Sequence, residues 1–200
     1  MKKLLALAAV ASVTAFAAPA FADSSASLGW SEWSIADFDA NTLTATGSWN
    51  RGHFGVQAEG AWGVAQTRYN NSFSGQKDII NIRSELGLFA TAQLDVADNL
   101  TIGARAGVAN VNAKERNATT NTHHIDTNGG AAYGANVTWM FSGSNGVRLD
   151  YTQYKVGLGK DPVGIGFPPS FSNEDPSVLT LSLVHKFGGA APAAAAPAAK

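Results

Sequence analysis

The sequence contains no cysteine, only two methionines and few charged residues (14%), and its formal net charge is −1 over 200 residues. Without cysteine there is no disulfide, no nucleophilic thiol and no thiolate metal site. A balance this close to neutral sets up no basic field for nucleic acid and no acidic face for basic partners. No segment beyond the first 22 residues approaches the roughly 20 consecutive apolar residues that a membrane-spanning helix needs. A chain of this length is expected to form one domain.

What is present starts with an address. Lys2 and Lys3 precede an apolar stretch over residues 4–16, and Ala20, Phe21 and Ala22 form an A-x-A cleavage site. This predicts a secretory signal peptide over 1–22, removed before Asp23. The alternative, a single membrane helix, fails because the apolar core is too short and Pro19 interrupts it.

Beyond that point the signal is alternation. In the stretch 177–187, Leu179, Leu181 and Leu183 share one parity while Thr180, Ser182 and Val184 share the other. Successive side chains of a strand point to opposite faces, so the leucines line one face of a closing β-strand. Earlier stretches read the same way. Residues 25–35 carry Leu28, Trp30, Trp33 and Ile35, with a parity break near Glu32 that predicts a bulge. Residues 42–50 alternate Leu43, Ala45, Gly47 and Trp49 with threonines and Ser48; in 53–64, Phe54, Val56, Ala58, Trp62 and Val64 oppose Gln57 and Glu59. The long stretch 78–96 sets Ile80, Ile82, Leu86, Leu88, Ala90, Ala92 and Leu94 against Asn81, Arg83, Glu85, Thr91 and Gln93. Strands from Leu100 to Val108, over 130–141, and from Val147 to Thr152 complete the set.

Short turns at Asn50-Arg51-Gly52, 97–99 and 142–145 alternate with longer loops at 65–77, 112–127 and 157–176; the loop at 36–40 is shorter than that pattern predicts. Eight such strands predict an all-β fold, an eight-stranded antiparallel transmembrane β-barrel spanning 23–187, with both ends at the short-turn rim. A soluble lipocalin-like barrel or a β-sandwich also alternates, but it turns the apolar face inward and covers its surface with charge. Here the polar face is mostly Gly, Ser, Thr and Asn, and Trp49, Trp62, Trp139, Phe141 and Phe187 lie near strand ends, as lipid interfaces select.

The stretches GHFGVQAEGAWG at 52–63, NLTIGARAGVA at 99–109 and GVRLDYTQY at 146–154, with a closing strand ending in Phe187, resemble the small outer-membrane β-barrel superfamily of Gram-negative bacteria. Its members include OmpA-type transmembrane domains and opacity-protein-like barrels. The resemblance covers 25–187. It implies residence in the cell outer membrane, contact with outer-membrane lipid and lipopolysaccharide, and delivery by periplasmic chaperones and the barrel-insertion machinery. It also implies an insertion signal on Leu179, Leu181, Leu183 and Phe187. Two features depart from the pattern: His185 stands where an apolar residue is usual, and residues 188–200 follow the terminal aromatic. That Ala/Pro-rich stretch reads as a flexible tail and resembles the hinge that joins such barrels to a peptidoglycan-binding domain.

The charges expected to point inward are Glu59, Arg83, Glu85, Arg105, Arg148 and Asp150, three acids and three bases. An eight-stranded lumen is just wide enough for side chains to fill, and unpaired charge there is costly. These residues therefore predict a salt-bridge plug, or a gate if the partners exchange. His123 and His124 beside Asp126 lack a fixed ligand spacing, so no metal is expected. Paired with Ser72 or Ser74 they do not match the motifs of barrel enzymes that modify lipid A, so no catalytic residue is assigned. Gly157-Leu158-Gly159-Lys160 lacks phosphate-loop spacing and is followed by Asp161 where a hydroxyl is required. The expectation is a non-enzymatic outer-membrane barrel without cofactor, with a membrane-integrity or surface-interaction role, whose loops 65–77, 112–127 and 157–176 face outward to meet a surface ligand. A narrow porin-like channel and a lipid-A-modifying enzyme are the alternatives.

Overall fold

A computed structural model describes residues 23–35, 38–65, 67–70, 77–117, 123–158 and 175–187. Its strands are β1 (Asp23–Ile35), β2 (Phe38–Arg51), β3 (Phe54–Gly63), β4 (Thr67–Asn70), β5 (Lys77–Ala97), β6 (Leu100–Asn117), β7 (His123–Met140), β8 (Asn145–Lys155) and β9 (Ser177–Phe187). All pairings are antiparallel. Strands β3 and β4 lie end to end along one neighbour, β5, which they meet at 84–92 and 77–80 respectively. Nine strands therefore make eight staves. Pairing of β1 with β9, Ser24 opposite Phe187 and Ser34 opposite Ser177, closes the sheet into a barrel. Closure removes the edges that β1 and β9 would otherwise present and pairs their backbone within the wall, as a bilayer demands.

The turns follow from local chemistry. Gly52 adopts φ 61°, the left-handed conformation that glycine enters without a Cβ penalty. At the β7–β8 turn, the Phe141 and Ser142 amides both donate to the Asn145 carbonyl at 3.1 Å, and the Ser142 hydroxyl accepts from the Asn145 amide at 2.9 Å.

The faces are inverted relative to a soluble protein. Leu183 is 68% exposed on the outside while Thr42 is 0% exposed within. Leu86, Leu88, Val108, Val137, Leu149, Leu179 and Leu181 share the outer surface, while Ser31, Thr44, Gln57, Arg105 and Asp150 are buried inside. A contiguous apolar exterior of this extent requires an apolar surround, and lipid supplies it. The soluble-barrel alternative is thereby removed.

Three sequence expectations change. Strand β1 pairs with β2 in unbroken register from Asp23 to Ile35, so there is no bulge at Glu32. Trp30 stays outside while Trp33 and Ile35 point inward, because the interior at the long-loop end is apolar. The bulge lies instead in β5, where the register with β6 shifts between Ile82 and Ser84. One extra residue exchanges the two faces. Ile82 consequently enters the core and Arg83 is exposed, so Arg83 leaves the lumen set; Glu85, past the bulge, faces inward as expected. Finally, strands occupy much of what reads as loop: β4 lies within 65–77, β6 and β7 run through most of 112–127, and β2 begins within 36–40. Beyond the lipid both faces of a strand meet water, so polar ladders replace apolar alternation. In one of them Thr127 donates to Asn112 Oδ1 at 2.5 Å, and Asn112 Nδ2 donates to Ser84 Oγ at 3.2 Å.

Candidate functional site: a charged layer across the lumen

The interior is stratified along the barrel axis. Near β1, β2 and β9 it is a hydroxyl seam. Ser31 shares hydrogen bonds with Thr44 (2.5 Å) and Thr180 (2.7 Å), and Ser27 shares one with Thr46. At the long-loop end it is apolar, built from Trp33, Ile35, Ile82, Phe89, Val111, Tyr154, Val156 and Val178, each 5% exposed or less. The Trp33 and Tyr154 rings stack at 5.0 Å between centroids, and Trp33 Nε1 donates to Thr42 Oγ1 at 2.9 Å.

Between these lies the charged layer. Strand β3 contributes Gln57 and Glu59, β6 contributes Arg105, and every second residue of β8 from Arg148 to Tyr154 faces inward. Arg105 forms a fork on Glu59, Nη1 to Oε2 at 2.5 Å and Nη2 to Oε1 at 3.3 Å. Arg105 also donates from Nε to Thr152 Oγ1 at 3.1 Å, with a second, shorter bond from Nη2 to the same oxygen. Its guanidinium carbon lies 4.5 Å from the centroid of the Phe89 ring, a cation–π contact. The Tyr154 hydroxyl donates to Glu59 Oε1 at 3.1 Å.

Arg148 donates from Nε (2.9 Å) and Nη2 (2.5 Å) to Asp150 Oδ1. Gln57 joins the two ion pairs, accepting from Arg148 Nη2 at 2.8 Å and donating from Nε2 to Glu59 Oε2 at 3.2 Å. The result is one continuous hydrogen-bonded bridge between β3, β6 and β8. Charge-assisted forks of this kind fix geometry as well as sign.

Glu85 stands outside the bridge. It is 1% exposed, and neither carboxylate oxygen has a hydrogen-bond partner among the described residues. Inward-facing Gly87 separates it from Phe89 along β5; a Cβ built there would lie 2.7 Å from Glu85 Oε1 and 2.5 Å from the Phe89 ring. Of the six charges read from the sequence, four are paired, Glu85 is buried beside them, and Arg83 lies outside. Sequence reasoning passed over Gln57 as a connector and Thr152, Tyr154 and Phe89 as supports. The parity of β8 was the available signal for Tyr154, which follows Arg148, Asp150 and Thr152 at intervals of two.

The remaining candidates do not gather. Arg105 and Glu59 make a buried plug, with no nucleophile–base pair in contact with it among the described residues. The side chains of His123, His124 and Asp126, and Ser72 and Ser74 altogether, lie outside the described residues. Among the described residues no group of three or more metal-ligating side chains comes together. On the closing strand, Leu179, Leu181, Leu183 and Phe187 line the outer surface. His185 shares that surface, where its Nδ1 bonds Asn145 Oδ1 at 2.9 Å and its ring meets Phe187 edge-on at 4.7 Å.

Comparison with known proteins places this geometry. Residues 4–187 match the family described as outer membrane protein beta-barrel domain. No curated protein matches the chain. Among solved structures, OprG of Pseudomonas aeruginosa superposes with a TM-score of 0.57 at 12% identity, covering 84% of this chain and 96% of that one. The attachment invasion locus protein Ail of Yersinia pestis, in complex with the heparin analogue sucrose octasulfate, gives 0.55 at 13% identity, with 84% and 99% covered. The N-terminal β-barrel domain of Pseudomonas aeruginosa OprF gives 0.55 at 11%, with 84% and 98% covered. At such identities the likeness is one of fold.

Proposed function

The chain belongs to the outer membrane protein β-barrel domain family, and from that membership we propose that it is a non-enzymatic barrel that stabilises the outer membrane and presents a recognition surface. The observation that carries the reading is the filled interior. An apolar plug and a fully bridged ion-pair layer lie in series across a lumen that eight strands already make narrow. In this reading the short-turn rim, with Asp23 and Phe187, faces the periplasm and the long connections face outward. Strands β5, β6 and β7 run 21, 18 and 18 residues, whereas roughly 9–11 cross a bilayer, so their far ends lift the connections clear of the lipid. That Ail, a barrel of similar fold, was crystallised in complex with a heparin analogue supports a surface ligand. The partners are outer-membrane lipid and lipopolysaccharide around the belt, and periplasmic chaperones and the insertion machinery during delivery, with Leu179, Leu181, Leu183 and Phe187 as the signal. Residues 1–22 act as a removable leader and 188–200 as a periplasmic tail; both stretches lie outside the described residues.

Liposome swelling with the refolded protein tests this reading. Zero flux of small sugars and amino acids is expected, and measurable flux overturns it. The second reading, a narrow channel, is favoured by Glu85, an unpartnered carboxylate on the same stave wall as the Arg105–Glu59 pair. Planar-bilayer recordings separate the two. A gate requires Arg105→Ala and Glu59→Ala to change conductance, whereas the plug leaves both at baseline. Unaltered lipid A by mass spectrometry, with and without the protein, is the expected outcome for a non-enzyme.

A further inference from the structure

Beyond the charged layer, at the short-turn end, the lumen opens into a vestibule of about 210 Å³. At about 30 Å³ per water this would hold some seven waters, or one small solute. Asn50, His53, Gln93, Asp95, Arg148 and Lys186 contribute to its wall.

An account of the donors shows what the wall offers. Arg148, only 4% exposed, uses Nε and Nη2 on Asp150 and Gln57, which leaves Nη1. Asn50 accepts from Thr91 through Oδ1 at 3.3 Å, which leaves its amide nitrogen. His53 donates from Nδ1 to the Gln93 carbonyl at 3.2 Å, which leaves Nε2. Among the described residues Lys186 forms no ion pair. The one carboxylate in the wall, Asp95, already accepts from Thr101 at 2.6 Å. A guanidinium with an unused edge, an ammonium without an ion pair among the described residues and an amide donor thus line a chamber too small for a lipid and open to water.

We propose that this vestibule is a binding site for a small oxyanion, a carboxylate or a phosphate, held by Arg148 Nη1 at its floor and Lys186 at its rim. Charge-assisted hydrogen bonds from two cationic groups are the strong kind, and the half-enclosed wall weakens solvent screening. Arg148 is immobilised by its bonds to Asp150 and Gln57, so little rotamer freedom is lost on binding. Asp95 opposes the anion and sets its affinity. The site faces away from the long connections and is independent of any ligand they bind.

The test is an amide-resolved NMR titration of the refolded full-length protein in micelles, with inorganic phosphate in one arm and succinate in the other. Chloride holds the ionic strength constant. Saturable shifts confined to His53, Asp95, Thr101, Arg148 and Lys186 are expected in at least one arm, and the arm that saturates identifies the anion class. Lys186→Ala should weaken binding about tenfold, as loss of one charge-assisted bond implies, and Lys186→Arg should restore it. Asp95→Asn, on a different strand, should tighten binding, and it serves as the independent arm if the lysine variant folds poorly. Shifts that fail to saturate in both arms, or an affinity indifferent to both variants, overturn the proposal.

Discussion

Glu85 is the side chain whose surroundings fit its chemistry worst. Its neighbour Glu59 has an arginine of its own, while neither oxygen of Glu85 has a hydrogen-bond partner among the described residues. Replacing one member of a buried pair strands the other at a cost of about 3–5 kcal/mol, so Arg105→Ala should lower unfolding stability by that order. Urea titration in micelles with a gel-shift readout measures it. Glu85→Gln breaks no bond and removes a desolvated carboxylate, so the same titration should show stability unchanged or raised. That Glu59, Arg105, Arg148 and Asp150 point inward was legible from alternation alone. Which acid meets which base was not, because the stagger between β3, β6 and β8 decides it and neighbouring residues in the chain do not encode stagger. Arg83 was misplaced for a simpler reason. One inserted residue reverses parity, and because Ile80, Ile82 and Leu86 all sit on even positions the alternation gives no sign of it. Trp33 was misread because a bulge expected near Glu32 grouped it with Leu28 and Trp30; β1 pairs without a break, and stacking on Tyr154 fixes Trp33 in the interior. Trp33→Ala should cost about 3–5 kcal/mol in the same assay, the usual range for deleting a large core aromatic.

Strand β9 shows how an irregular sequence can keep its place in the wall. His185 departs from the apolar pattern at the rim, yet its bond to Asn145 and edge-on contact with Phe187 give it partners where lipid meets water. The outer face of this strand should therefore govern assembly. Phe187→Ala combined with Leu183→Ala is expected to lower the folded, heat-modifiable fraction on gels, and deletion of 188–200 is expected to leave that fraction intact. Strands β5, β6 and β7 present the opposite case. Their middle portions were readable from period-two alternation, but their far ends lack it, since Ser84, Asn110, Asn112 and Thr127 pair through polar side chains on the outer face. Strand ends that leave the membrane should open more readily than the belt. Hydrogen exchange should be faster for amides 110–114 and 125–130 than for 102–108 and 132–138; uniform protection would contradict a projecting wall.

The molecule as a whole is a cylinder with its hydrophobic surface outside and its polar one within, so its tryptophans should report lipid directly. Trp30 and Trp139 are 51% and 48% exposed on the outer face, whereas Trp33 is 1% exposed. In single-tryptophan variants, brominated lipids should quench the first two strongly and Trp33 little. The architecture was the most legible part of the sequence, because inside–outside alternation and the rhythm of short and long connections are both linear properties. The stratified interior was the least legible, because it is assembled from single residues of many staves. Closure also has a consequence for time. Strands β1 and β9 bond from Ser24–Phe187 to Ser34–Ser177, so the first strand made waits for the last. Until residue 187 has emerged, β1 and β8 are both bare edges, and the apolar exterior of every completed hairpin has no proper solvent. The contact of greatest sequence separation is thus also the one on which all others depend, which makes folding slow and strongly cooperative. A chain built this way cannot mature piecemeal as it is synthesised; it becomes a protein in a single act of closure.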